Sequence, residues 1–298
     1  MILYNACPSC GQKNIAYVFS VKDYTVSHEQ FEIWECKSCL LRFTQNVPNE
    51  NEIGAYYQSE KYISHSDTNE GLINKLYHKV RTRTLNNKKK LVEQLTGKVN
   101  GSILDVGCGT GAFLQTMQQA SWNITGLEPD DTARKKAREL YHLELESSEK
   151  LFSLPSKSFD AITMWHVLEH VHELHNYVEQ LKGLLKQDGK LFVAVPNYTC
   201  YDENIYKEFW AAYDVPRHLY HFSPKATKTL LEMHGMKIDS MKPMWYDSFY
   251  VSMLSEQYKT GKSNVAKAFI NGAISNLKGA GDVKKCSSVI YVVVPTLP

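Results

Sequence analysis

Residues 103–114 read ILDVGCGTGAFL, an apolar strand that runs into a glycine turn and then into a helix with Phe113, Leu114 and Met117 on one face. Gly107, Gly109 and Gly111 let the backbone approach a ligand closely, at the carboxyl end of a strand, where open α/β sheets bind their ligands. Gly107-x-Gly109-x-x-Ala112 also satisfies the dinucleotide fingerprint, so glycine spacing alone does not choose a cofactor. Asp105 narrows the choice. It stands two residues before the first glycine, where a dinucleotide site carries an apolar residue, and a carboxylate there is expected to face a polar ligand.

The run Leu104-Asp105-Val106-Gly107-Cys108-Gly109-Thr110-Gly111 closely resembles the first motif of class I S-adenosylmethionine-dependent methyltransferases. The resemblance implies that Gly107, Cys108, Gly109 and Gly111 wrap the methionine part of the cofactor, with Asp105 near its ammonium end. Residues 123–128, NITGLE, read as a second strand ending in Glu128, the position from which an acid takes the ribose hydroxyls in this family; Pro129 and Asp130 start the next helix. Further strands are expected at 143–145, 158–164, 190–195, from Met236, and at 287–294, the last antiparallel at the sheet edge. The implied fold is α/β: a Rossmann-like, seven-stranded class I methyltransferase sheet over residues 100–298. Ser147 and Ser148 are placed near the adenine by the same resemblance, although the usual acid is absent there.

A small element precedes this domain. Cys7-Pro-Ser-Cys10 and Cys36-Lys-Ser-Cys39 are two C-x-x-C pairs, each inside a short turn, and together they put four thiolates where a tetrahedral zinc ion binds at about 2.3 Å. Residues around them alternate in strand fashion. So small a segment buries little apolar area, so zinc is expected to supply its folding energy, and a closed four-cysteine site leaves no open position for substrate. The chain is therefore read as a zinc-ribbon-like element over 1–47, a helical linker or lid over 48–99, in which Leu72, Leu76 and Val80 recur at four-residue spacing, and the methyltransferase domain over 100–298.

Two further stretches bear on chemistry. WHVLEHVHELH, residues 165–175, contains H-x-x-E-H at His166, Glu169 and His170, a zinc-peptidase pattern. Its address after the fourth strand rejects that reading, and the resemblance places Trp165 and His166 beside the cofactor. HVLEH is also similar to the EVLEH segment of quinone O-methyltransferases, which implies a divalent cation at Glu169 and His170; the alternative is that these two residues hydrogen-bond the loop, with His172 and His175 on the surface. Residues 197–223 form a long, aromatic-rich insertion in which Tyr213, Arg217 and His218 are the expected substrate contacts. Pro216-Arg217-His218-Leu219 resembles a segment of a broad group of bacterial methyltransferases and names no substrate.

Methyl transfer from a sulfonium is an in-line displacement, so the expected contribution of the enzyme is to hold nucleophile and methyl in attack geometry. His166 and His218 are the candidate bases. The expected acceptor is a small molecule, sugar-, quinone- or polyketide-like; the alternative is an RNA methyltransferase that docks nucleic acid with its zinc ribbon. The 34 Lys and Arg against 32 Asp and Glu give a net charge of +2, which speaks against nucleic-acid or acidic-membrane partners. No apolar window of transmembrane length and no signal-peptide pattern occurs, so a cytoplasmic location is expected.

Overall fold

The computed structural model describes residues 1–58, 72–262 and 264–296, with the helical backbone alone for 72–79. Its strands are β1 (Ile15–Lys22), β2 (Gln30–Cys36), β3 (Arg42–Thr44), β4 (Ser102–Val106), β5 (Asn123–Leu127), β6 (Phe159–Trp165), β7 (Leu185–Pro196), β8 (Tyr220–His221), β9 (Met236–Pro243) and β10 (Ser288–Pro295). The α-helices are α1 (Leu72–Thr96), α2 (Ala112–Gln119), α3 (Asp131–Tyr141), α4 (Leu174–Leu184), α5 (Tyr201–Tyr206), α6 (Pro224–Met233), α7 (Asp247–Thr260) and α8 (Val265–Gly281). Side chains of Leu72 and Leu76 lie outside the described residues. Among the described residues no helix is long and apolar enough to cross a membrane.

Contacts divide the chain into two compact units, and the division is not sequential. One consists of His65–Val167, Val178–Val193 and Val293–Pro298. It holds β4, paired in parallel with β5 on one side and β6 on the other. All five β4 residues except Ser102 are buried, as expected of a central parallel strand covered on both faces. Helix α2 buries Phe113, Leu114 and Met117. Asp160 at the start of β6 accepts from the Ser102 backbone N–H at 2.8 Å and pairs with Lys186 at 2.7 Å and with Lys98. Burial works against its charge, yet the two ammonium groups hold the carboxyl down to about 2.

The larger sheet runs in the order β5-β4-β6-β7-β10-β9. It has six strands where seven were expected. Residues 143–145 make no strand: Leu143 is turned into a cluster with Leu114 and Ala137, and only Glu146 bridges Leu127. The expected edge strand near the C-terminus, β10, lies one place in, and β9 forms the edge.

The other unit consists of Met1–Ser64, Leu168–Tyr177 and Ala194–Val292. Its sheet is β1-β2-β3-β8. Strands β1 and β2 run antiparallel from Ile15 opposite Cys36 to Lys22 opposite Gln30, with an irregularity between Tyr17 and Phe19. β3 carries the sheet on to β8 through Arg42 opposite His221 and Phe43 opposite Tyr220. The 197–223 insertion thus supplies the fourth strand of the sheet that the N-terminal cysteine segment begins. A shared core follows: Val21, Phe31 and Ile33 cluster with Tyr198, Tyr206, Trp210 and Tyr213. The expected helix after Pro48 is a single 3-10 turn, Ile53–Tyr57.

Candidate functional site

Asp105 is buried on β4, opposite Gly126 of β5 and Thr163 of β6. Thr163 Oγ1 donates to Asp105 Oδ1 at 2.6 Å. Burial raises the carboxyl to about 7, which the Thr163 hydrogen bond and the charge of Lys88 only partly oppose. A carboxylic acid in such a place is prepared to be ionised by a cation that enters its site.

The turn after β4 is locked to the end of β5, because Gly107 and Cys108 N–H both donate to Leu127 O, at 2.7 and 3.0 Å. Gly107 has φ +68, and a Cβ there would lie 2.5 Å from Val167 Cγ2, so the position admits nothing larger. Gly109 also has positive φ, yet a Cβ on it would meet nothing within 4 Å, which makes this stretch of backbone an open cradle. Glu128 closes the arrangement. Its Oε2 accepts from Gly109 N–H at 2.7 Å and its Oε1 from Asp130 N–H at 3.1 Å, while burial raises its carboxyl above the usual range. Pro129 is exposed beside it, and Asp130 caps α3 by accepting from the Thr132 and Ala133 N–H groups. Ser147 precedes a short 3-10 turn that begins at Ser148.

Trp165 and His166 follow β6. The Trp165 ring stands edge-on to Phe113 at 5.6 Å, with Lys88 Nζ over it at 4.3 Å, and its buried indole N–H has no hydrogen-bond partner among the described residues. His166 has φ +60, a left-handed conformation that a non-glycine residue adopts at a cost. Lys88 belongs to a lysine run that composition alone reads as a solvated helix face; nothing in the sequence announces its place over Trp165. Thr163 could have been found by pairing β4 and β6 in register.

In the other unit the four N-terminal cysteines converge, their Sγ atoms all within 4.8 Å of one another. Cys7 and Cys39 Sγ are 3.6 Å apart, Cys10 and Cys36 3.5 Å. A tetrahedron with metal–sulfur bonds of about 2.3 Å requires edges of about 3.8 Å, so the set fits zinc. The two pairs are built alike: Gly11 N–H donates to Cys7 O and Leu40 N–H to Cys36 O, both at 2.9 Å, and Gly11 and Leu40 both have positive φ. The sulfur contact between Cys7 and Cys39 lowers the Cys7 thiol and raises that of Cys39.

The same unit carries a second cluster, Glu169, His170 and His218, with one ligand atom of each also within 4.8 Å of the others. His170 Nδ1 lies 3.0 Å from Arg217 O and His218 Nδ1 2.9 Å from Ala212 O. The Tyr57 hydroxyl also lies 2.9 Å from His170 Nδ1, so each imidazole is oriented through contacts at its Nδ1. Burial, then the neighbouring His218, lowers His170 to about 4, which keeps it neutral.

Other expected site residues lie elsewhere. Arg217, expected to pair with an anionic acceptor, is turned inward and spends its guanidinium on the protein: on Asp23 Oδ1 at 2.9 Å, Asp214 Oδ1 at 2.7 Å and Tyr56 O at 2.8 Å. Tyr213 is fully buried, with its hydroxyl between Arg42 at 2.6 Å and Glu203 at 2.9 Å. His172 and His175 are not surface residues. His172 bonds Pro48 O, and His175 joins His234 at 2.8 Å to Pro8 O at 3.1 Å, inside the first cysteine turn.

A parallel β4 flanked by β5 and β6, an acid on it, a glycine turn and a second acid closing the turn together define a class I S-adenosylmethionine-dependent methyltransferase fold. A family model described as a methyltransferase domain matches residues 77–241, and the chain belongs to that family. It is 34% identical over 124 residues, 36% of this chain and 53% of the relative, to a ubiquinone biosynthesis O-methyltransferase of Actinobacillus pleuropneumoniae. With the mitochondrial ubiquinone biosynthesis O-methyltransferase of Bos taurus it shares 27% over 165 residues, 49% of this chain and 44% of that one. The chain spans about half the length of these curated relatives. In fold it is similar to magnesium protoporphyrin IX methyltransferase from Synechocystis PCC 6803 with bound S-adenosylhomocysteine: TM-score 0.53, 14% identity, covering 81% of this chain and 97% of that one.

Proposed function

We propose that this protein transfers a methyl group from S-adenosylmethionine to an oxygen of a small-molecule acceptor. The observation that carries the reading is the pairing of Asp105 with Thr163 beside the open glycine turn that Glu128 closes, on a chain of the methyltransferase-domain family. When bound, the cofactor supplies an electrophilic methyl on a sulfonium. Asp105 takes its ammonium group, the backbone from Gly107 to Gly111 accommodates its methionine part, Glu128 accepts from its ribose hydroxyls, and Trp165 offers its unpartnered indole N–H. Pro129 borders the same edge. In the reaction the S–CH3 bond breaks as the O–CH3 bond forms, S-adenosylhomocysteine leaves, and the hydroxyl proton passes to a base. His166, on the same unit as Asp105 and Glu128, is the proposed base.

The names of the relatives support a phenolic, quinone-type acceptor over sugars or polyketides, and no observation favours the RNA alternative. With methyl-labelled S-adenosylmethionine and a panel of catechols, label is expected in the acceptor, and His166→Ala is expected to lower turnover by about a hundredfold while leaving cofactor affinity within about twofold. Undiminished transfer by His166→Ala would remove it from the mechanism; transfer to none of the panel would overturn the acceptor class.

Zinc at Cys7, Cys10, Cys36 and Cys39 is the proposed structural metal. Glu169, His170 and His218 suit a divalent cation, since two imidazoles, each with a carbonyl beside its Nδ1, and one carboxylate form a recognised donor set. Such an ion would polarise an oxygen ligand. His218 is on this reading a ligand rather than a base, and Tyr213 and Arg217 support the loop from which it projects. Titration with Mn2+ followed by electron paramagnetic resonance is expected to show a bound ion that His218→Ala weakens at least about tenfold. Equal binding by the two proteins would sink the site.

A further inference from the structure

Helix α8 turns its small residues inward and its large ones outward. Its buried residues are Ala268, Gly272, Ser275 and Gly279. They seat the helix closely: a Cβ at Gly272 would come 3.0 Å from Phe249 Cα, and one at Gly279 2.5 Å from Cys286 Sγ. Starting beside them and running round the helix, Val265 is 65% exposed, Phe269 63%, Leu277 75% and Ile270 56%. At 100° per residue these four fall on one continuous arc, with Ala266, Ala273 and Ala280 between them. Single exposed apolar side chains are ordinary, but a helix that exposes its large apolar residues on one arc has a surface built to be covered.

Charge selects what covers it. From Gln257 to Gly281 the sequence has no Asp or Glu but has Lys259, Lys262, Lys267 and Lys278, and Lys284 and Lys285 follow. This stretch therefore carries four positive charges and no negative one, in a chain whose net charge is only +2. Lys267 is shared with Glu256 at 2.8 Å, whereas Lys259 meets a carbonyl and Lys278 the ring of Tyr201, contacts that leave their charge uncompensated. Trp245, itself 40% exposed, is tied to the helix where Asn276 Nδ2 donates to its carbonyl at 2.7 Å, beside Leu277.

We infer that α8 docks the protein on an anionic lipid bilayer. The helix lies in the interfacial plane, Val265, Phe269, Ile270 and Leu277 enter the boundary between headgroups and acyl chains, Trp245 sits at headgroup level, and the lysines face lipid phosphates. This is attachment to a surface, consistent with the absence of a membrane-crossing helix among the described residues. It stands independently of the methyl-transfer reading.

The test is flotation of the full chain with vesicles of phosphatidylcholine alone and of phosphatidylcholine containing roughly one-third phosphatidylglycerol. Binding to the anionic vesicles only is expected, weakening as salt is raised. Phe269→Ser with Leu277→Ser should weaken it at least about tenfold, and each of Lys262→Gln and Lys278→Gln by about fivefold. Unchanged circular dichroism, melting and S-adenosylhomocysteine binding would exclude a folding defect in these surface variants. Wild-type protein that stays with neither vesicle overturns the inference. So does a concentration-dependent dimer, seen by sedimentation and abolished by the Phe269 and Leu277 substitutions, because the arc would then be covered by a second copy.

Discussion

Cys36→Ser is expected to release one zinc ion per chain and to lower the melting temperature by about 10 °C. The quartet spans two turns that are far apart in sequence, with Cys10 half-buried and Cys7, Cys36 and Cys39 buried. Backbone pairing joins them at one edge, where Lys37 N–H donates to Asn14 O at 2.9 Å and Ile15 stands opposite Cys36, and a metal would tie the thiolates themselves. Removing one thiolate from a closed four-coordinate site converts a tight site into a weak one, and in a small element the binding energy of zinc is folding energy, about 10–16 kcal/mol in isolated fingers. A larger fold absorbs part of that loss, because β2 remains paired with β3 and β3 with β8. A residual cost of about 3–5 kcal/mol corresponds to the melting shift given above for a protein of this size. Two controls sharpen the result. Cys200→Ser and Cys286→Ser remove buried thiols outside the quartet and should leave the metal content at one ion per chain, measured by native mass spectrometry. Full zinc retention by Cys36→Ser would remove the quartet as its site. Zinc loss without any change in melting would keep the quartet as the zinc site but deny the ion a structural role.

What the sequence disclosed, and what it withheld, follows the range over which each signal acts. The β4 turn and the helix start at Asp130 are written within a few neighbouring residues, and each appears where local pattern puts it. Convergence of the two C-x-x-C pairs was also legible, because thiolate spacing is itself a local signal. The expected strand at 143–145 was not formed, since its apolar character serves the cluster with Leu114 and Ala137 rather than a ladder. The 197–223 insertion illustrates the harder case. Its aromatic residues read as a surface that closes on a ligand, but Tyr206, Trp210, Tyr213 and Tyr220 are core, and the insertion completes a sheet begun about 180 residues earlier. Arg217 was read as a free cation for the same reason: its partners Asp23 and Tyr56 are remote in sequence. A net charge near zero likewise concealed the lysine-rich, acid-free run at α8, because an average over the chain erases a local excess.

Asp105→Asn is expected to weaken S-adenosylhomocysteine binding about a hundredfold at pH 8 without loss of stability. Asparagine keeps the shape and an oxygen that accepts from Thr163, and it removes only the charge that would face the cofactor ammonium. A charge-assisted hydrogen bond is worth about twice a neutral one, and an ammonium left without its counter-charge adds to the loss, which together set the size of the effect. The pH dependence follows from the direction of the shift. Burial raises the Asp105 carboxyl to about 7, so the fold favours its neutral form: in the free protein this stabilisation is present below the ordinary carboxylate range and is lost as pH rises through about 7. Cofactor binding has the opposite dependence, because only the ionised carboxylate pairs with an ammonium. Wild-type affinity should therefore rise about tenfold between pH 6 and pH 8, as the ionised fraction grows from about one-tenth to about nine-tenths. Glu128 is raised as well and titrates in the same sense, so the substitution separates the two. Isothermal titration across that range should show a rising wild-type curve and a nearly flat one for Asp105→Asn. Parallel curves would assign the pH dependence to Glu128, and equal affinities at pH 8 would remove Asp105 from the cofactor site.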